Sequence, residues 1–347
     1  MRKKRLLTLL SCLGLAVAFA LAAFLASQLM RRSQRDRPHS YSPEQLRVDL
    51  DGTLGQSGIC GDALTWVFSA GDGTLTVSGS GEMYEFDAER FADGVPWHEY
   101  TALIRRVRAE DGVTSVSARA FSACPELVEV VLADSVKAVD DLAFNRCPKL
   151  ERATLNGVET LGADAFSSCG ALRELEAARL RVVGANAFQG CAALTGLPGG
   201  LEQVAQYAFK GCTALTAVRI PAGAALGEGA FYACTGLTEL TLEDGVQTHG
   251  ELCFYGCTAL TAVCIPGSVA ELPTLVFGCC TALRTLTLEN GVAAIGVSAF
   301  QECRALTKLP LPASPGAAGQ PAVLTITVLD RYGAGRFERL YAGLSAQ

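Results

Sequence analysis

The chain has 347 residues, half of them from the hydrophobic set and 18% charged, with 36 Gly and 14 Cys. That is too apolar for a disordered tail and long enough for two average domains or one extended array. Eight basic residues and a single acid, Asp36, precede residue 38, so residues 38–347 carry 21 basic against 34 acidic side chains, a net of −13. A body that acidic repels phosphate backbones, which excludes nucleic acid as a partner. With only three His (His39, His98 and His249), well separated along the chain, there is little material for imidazole catalysis or a His-rich metal site.

Residues 1–37 read as a signal anchor or signal peptide with basic flanks. Leu6–Met30 is a run of 25 uncharged positions between Arg2-Lys3-Lys4-Arg5 and Arg31-Arg32. As a helix it spans roughly 37 Å, enough for a hydrocarbon core of about 30 Å with some tilt. Small-x-small sites at Ala18-Phe19-Ala20 and Ala20-Leu21-Ala22 offer the alternative of cleavage. Either way everything after residue 37 is expected to be exported, anchored to the membrane through residues 6–30 or secreted.

A linker, 38–57, leads to an N-terminal β cap over 58–103. In it Leu64–Phe68 and Thr74–Val77 alternate around the turn Ser69-Ala-Gly-Asp-Gly73, a hairpin signal. Such a hairpin would cover a sheet edge otherwise open to another chain. His98, in Pro96-Trp97-His98, is expected to belong to cap packing. Ile104–Ala109 has the pattern of a degenerate first rung.

Self-similarity decides the rest. Phe-x-x-Cys-x-x-Leu occurs nine times, beginning at Phe121, Phe144, Phe166, Phe188, Phe209, Phe231, Phe254, Phe277 and Phe300, spaced by 21 to 23 residues. In each unit Leu-x-x-Val-x-Ile reads as a short strand, Val-x-x-Ile-Gly turns the chain, and Ala-Phe-x-x-Cys closes the coil. One coil cannot bury its own apolar edge, so coils stack about 4.8 Å apart with Phe on Phe and Cys on Cys, a solenoid roughly 40 Å long. This β-rich solenoid is expected to fill 104–311. A C-terminal cap over 312–347 follows, with a last strand at Ala322–Val328 and Phe337, Leu340, Tyr341 and Leu344 at helical spacing.

The repeat resembles the BspA-like leucine-rich repeat. The resemblance covers about residues 58–311 and includes the leader Gly58-Ile-Cys60-Gly61, Gly73-Thr-Leu75 and Pro96-Trp97. It implies a surface-exposed bacterial protein that contacts other macromolecules; a protein on a host or bacterial surface is the partner expected here, and no enzymatic activity is expected. It names no partner and implies no cofactor.

Nine of the cysteines form one inward column, and in-register stacking holds their Cβ atoms near 4.8 Å, beyond the 3.5–4.5 Å of a disulfide. They are read as free buried thiols. His249, Cys253 and Cys257 could suggest a metal cluster, but Cys257 belongs to this ladder and zinc needs four convergent ligands, so no metal is assigned. No catalytic set can be assembled.

For binding, the outward strand positions and the rim beside them remain. Arg219, Glu239 and Thr241 are outward strand residues. Tyr232 and Tyr255 each follow the Phe of adjacent repeats and should stack one rung apart. Tyr and Arg are frequent interface hot spots, which makes these five the candidate protein-binding set. The outward strand columns contain no aromatic ring, which weighs against the alternative of glycan binding, and units of 21 to 23 residues leave no room for a catalytic insertion.

For the anchor, cell fractionation is expected to return the protein in membranes at full mass. A soluble species beginning near Leu21 or Ala23 would contradict the anchor and leave a secreted protein.

Overall fold

The computed structural model describes residues 55–86, 94–248, 250–292 and 294–307, together with the backbone strand Thr325–Ile326. The apolar run 6–30, His249 and the helical pattern at 337–344 lie outside the described residues. Among the described residues no helix is long and apolar enough to cross a membrane.

Three antiparallel strands open the fold: β1 (Gly55–Gly61), β2 (Leu64–Ser69) and β3 (Thr74–Gly79). β2 and β3 are the expected hairpin, and β1 is an addition the sequence does not announce. The Asp72 carboxylate shapes the turn by accepting Thr74 N–H at 3.2 Å and Thr74 Oγ1–H at 2.9 Å. β3 then pairs in parallel with β4 (Arg106–Ala109), so the hairpin hands its sheet directly to the first rung.

Each coil has three sides. The first is a parallel sheet that continues from β4 through 129–132, 152–154 and 174–176 in unbroken register, Arg106 beside Glu129, Glu129 beside Arg152, Arg152 beside Glu174. Alternate residues point inward, and Val130, Leu132 and Ala153 are buried. The sheet is interrupted where Gly196-Leu197-Pro198-Gly199-Gly200 replaces the strand, because Pro lacks the N–H a ladder needs and Gly adds no side chain to pack. It resumes as the pairs 217–220 with 239–242 and 262–265 with 285–288.

The second side is a narrower sheet of two-residue strands. The Val-x-x-Ile-Gly segment does more than turn the chain: 115–116, 138–139, 160–161, 182–183, 203–204, 225–226 and 247–248 pair successively in parallel. Strands 271–272, 294–295 and 325–326 form a further set.

The third side is the Ala-Phe-x-x-Cys corner, and its backbone is not a strand. The N–H groups of Leu142, Phe144 and Arg146 donate to the carbonyls of Ala163, Ala165 and Ser167 in the next coil, each at 2.8 Å. For every second amide to point along the stack, the residues two before and two after each Phe take φ near +60°. Fourteen of these positions are non-glycine, Leu142 (φ 61) and Arg146 (φ 57) among them. A left-handed residue with a Cβ is disfavoured by about 1–2 kcal/mol. The bonds to neighbouring coils hold it there.

Behind this backbone the nine Phe rings stack with centroids 5.1–5.8 Å apart and interplanar angles of 4–15°. Trp97 heads the column 5.0 Å above Phe121, and its Nε1–H donates to the Ala120 carbonyl at 2.8 Å. The cap thereby supplies both the ring and the donor that an earlier coil would have given. Trp97 and Tyr100, which stacks on Phe68 at 4.8 Å, do the cap packing, whereas His98 between them is exposed, contrary to the sequence expectation.

Replacing Phe209 with Ala is expected to cost about 3–5 kcal/mol, because the rings above and below hold the cavity open. The outward Thr241→Ala should cost under about 0.5 kcal/mol. Urea titration of both variants checks this, and equal midpoints would refute the assigned facing.

Candidate functional site

The cysteine column is structural. All thirteen described cysteines are free, and the nine of the ladder are buried. From Cys147 onward each donates to the carbonyl of the Phe in the preceding coil: Cys169 Sγ–H to Phe144 at 3.1 Å, Cys191 to Phe166 at 3.2 Å, and Cys234 to Phe209 at 3.2 Å. The Phe166 and Phe209 carbonyls also accept an N–H within their own coils, from Cys169 and Cys212, each at 3.2 Å, so both lone pairs are used there. Burial pushes the thiols of Cys60, Cys191, Cys234 and Cys253 up to about 12, which keeps them protonated. Cys253 sits in the alanine column and donates to the Gly227 carbonyl at 3.2 Å. Among the described residues no group of His, Cys, Asp and Glu is arranged to hold a metal ion.

The outward face of the first sheet divides along the solenoid. Toward the cap its charges satisfy one another: Glu129 lies 3.3 Å from Arg106 and 3.2 Å from Arg152, and Arg173 lies 2.7 Å from Glu151. Beyond the interruption the face is sparser. Glu239 and Thr241 are exposed there, and Arg219 Nε–H donates to Glu243 at 2.6 Å. Glu243 in turn accepts the Ala222 N–H at 3.1 Å, so one carboxylate holds both the turn and the exposed guanidinium. Cys264, exposed in the same column as Thr241 and Thr287, has its Sγ 3.6 Å from Glu289.

Tyr232 and Tyr255 lie on the corner side. Their rings stack as expected, 5.1 Å apart at 12°. The structure therefore brings the two tyrosines together and places Arg219, Glu239 and Thr241 on a different side of the coil, so the five sequence candidates form two separate sets.

The tyrosine set is also larger than the pair. Tyr207, two residues before Phe209, meets Tyr232 edge-on at 6.3 Å, and Lys210, directly after that Phe, places Nζ 5.2 Å from the Tyr207 ring and 5.6 Å from the Tyr232 ring. Tyr207 Oη–H donates to Glu228, which raises its pKa above the ordinary phenol value. Cys279 Sγ–H donates to Tyr255 Oη at 3.1 Å. Gly278 is where Tyr255 comes to rest: a Cβ there would stand 2.7 Å from the ring. Tyr207 and Lys210 escaped the sequence reading because it followed only tyrosines in the position after Phe. Reading the positions two before and one after each Phe as surface columns would have found both.

The three-sided coil with its parallel sheets, Phe ladder and N-terminal hairpin defines a leucine-rich repeat solenoid. Residues 99–199 and 202–320 match the BspA type leucine rich repeat region in six copies, and the chain belongs to that family. No curated protein matches it. Among solved structures it is similar to a leucine-rich repeat protein from Eubacterium ventriosum (21% identity, TM-score 0.35, covering 75% of this chain and 92% of that one). It is also similar to the T. pallidum leucine rich repeat protein (20%, 0.37, 70% and 86%). A third is a leucine rich cell surface protein from Faecalibacterium prausnitzii (19%, 0.33, 74% and 94%).

Alkylation of the denatured, unreduced chain, counted by mass, is expected to label at least the nine ladder cysteines. Most of them found paired would overturn the in-register stack.

Proposed function

We propose that this protein is an exported, non-enzymatic interaction module that binds another protein, in adhesion or surface contact, through its rigid repeat scaffold. The reading assigns no catalytic residue and no cofactor. The export component rests on the apolar run Leu6–Met30 with its basic flanks.

The observation that carries protein rather than glycan as the partner is the closure of the tyrosine ring faces. Tyr232 stacks on Tyr255, and Lys210 and the Tyr207 ring, at 71° to it, lie beside it as well. Tyr255 also packs against Gly278. A sugar ring needs an open aromatic face to stack on. This stack instead offers ring edges and hydroxyls, half-buried and already ordered, so a partner that packs on them loses little side-chain entropy.

The test presents the purified full chain, in mild detergent, to immobilised extracellular proteins and to a glycan array. Any protein hit is expected to weaken roughly tenfold or more when Tyr232 and Tyr255 are both changed to Ala, as for paired hot-spot residues. A second variant, Arg219→Ala with Glu239→Ala and Thr241→Ala, asks the same of the sheet face. Glycan binding without protein binding would contradict the proposal, and a hit unmoved by either variant would relocate the site.

A further inference from the structure

Along the corner side the surface changes character. At the positions two before and one after each Phe, the first four full coils carry Arg119 and Ser122, Leu142 and Asn145, Asp164 and Ser167, and Asn186 and Gln189. The following coils carry Tyr207 and Lys210, Gly229 and Tyr232, Leu252 and Tyr255, and Leu275 and Gly278. Tyr207, Tyr232, Leu252, Tyr255 and Leu275 are all half-buried, and Tyr255 and Leu275 both close over Gly278. Five large apolar side chains on successive rungs of one face exceed the scattered exposure that needs no explanation.

The charge beside this patch is negative. Tyr207 N–H donates to the Glu228 carbonyl and Gly229 N–H to the Glu251 carbonyl, so Glu228 and Glu251 occupy one column a single rung apart. Both are exposed. Glu228 accepts the neutral Tyr207 hydroxyl, and among the described residues no basic side chain forms an ion pair with either carboxylate. Lys210 is committed to the rings of Tyr207 and Tyr232, and Arg304, at the far end, pairs with Glu302 at 2.9 Å. Two like charges so close repel each other, and a cation brought between them relieves that repulsion.

We infer that this corner receives a protein segment whose apolar side chains are flanked by Lys or Arg, the apolar groups packing on Tyr232, Tyr255, Leu252 and Leu275 while the cation sits between Glu228 and Glu251. The inference rests on the protein-binding reading above and specifies the partner's chemistry. Acidic segments are rejected by the same two carboxylates.

A random peptide library displayed on phage, panned against the purified full chain in mild detergent, tests it. Enriched peptides are expected to combine Leu, Ile, Val or Phe with at least one Lys or Arg. Synthetic copies should bind the Glu228→Gln/Glu251→Gln variant roughly fivefold more weakly at low salt, with the difference shrinking as salt rises. Binding to Tyr232→Ser/Tyr255→Ser should be lost, with thermal midpoints of both variants confirming that the solenoid remains folded. No enrichment, enrichment of acidic peptides, or equal binding to both variants overturns the inference. Protein binding that is not weakened by the two Glu changes refutes the partner chemistry and leaves the protein-binding reading standing. Failure to bind any protein refutes both.

Discussion

The repeat array follows from stacking coils in register about 5 Å apart, because each inward side chain then meets the residue at the same position in the coils above and below. The Phe and Cys columns are filled by one residue type throughout, whereas Val130, Ala153 and Leu175 succeed one another in a strand column. Phe packs on its own copies with offset rings 5.1–5.8 Å apart. Cys does so with a small side chain that can donate to the Phe carbonyl of the preceding coil, and a buried thiol carries a smaller desolvation cost than a hydroxyl would. The left-handed residues at the corner are the backbone counterpart of the same constraint. Only that alternation lets the amides of Phe and of the residues two to either side all reach the next coil.

How much of this was legible depends on whether the signal was a residue type or a conformation. The Phe, Cys and Leu columns are residue types recurring at fixed spacing, so the solenoid, the free thiols and the stacking of Tyr232 on Tyr255 could be read directly. The left-handed corner could not, because its positions hold Arg146, Leu142, Asp164 and Cys279 as readily as Gly190. Nothing in their chemistry announces a positive φ. The loss of the strand at Pro198-Gly199-Gly200 was legible in principle, since Phe188 to Phe209 is the one spacing of 21 residues, but the intact Phe-x-x-Cys-x-x-Leu motifs on either side concealed it. Arg219 illustrates a different limit: its outward facing follows from alternation, whereas its pairing with Glu243 depends on a turn geometry that spacing does not encode.

The division of the surface bears on function. Near the cap, the outward sheet is a set of mutually paired charges, Arg106, Glu129, Arg152, Glu151 and Arg173, which lowers its availability to a partner. Farther along, the corner gathers tyrosines whose rings are ordered before any partner arrives. A solenoid whose coils contact only their neighbours transmits such order locally, so the tyrosine face depends on the Phe stack directly beneath it: Phe209, Phe231, Phe254 and Phe277.

Amide hydrogen exchange tests the central claim most directly, since the corner ladder exists only if the coils are stacked in register. The account predicts that the amides of Phe144, Phe166, Arg146 and Ser168, which donate to the next coil at 2.7–2.8 Å, exchange as slowly as those of Arg152 and Gly162 on the two sheets. Exchange of these corner amides at the rate of exposed loops, with the sheet amides still protected, would contradict it.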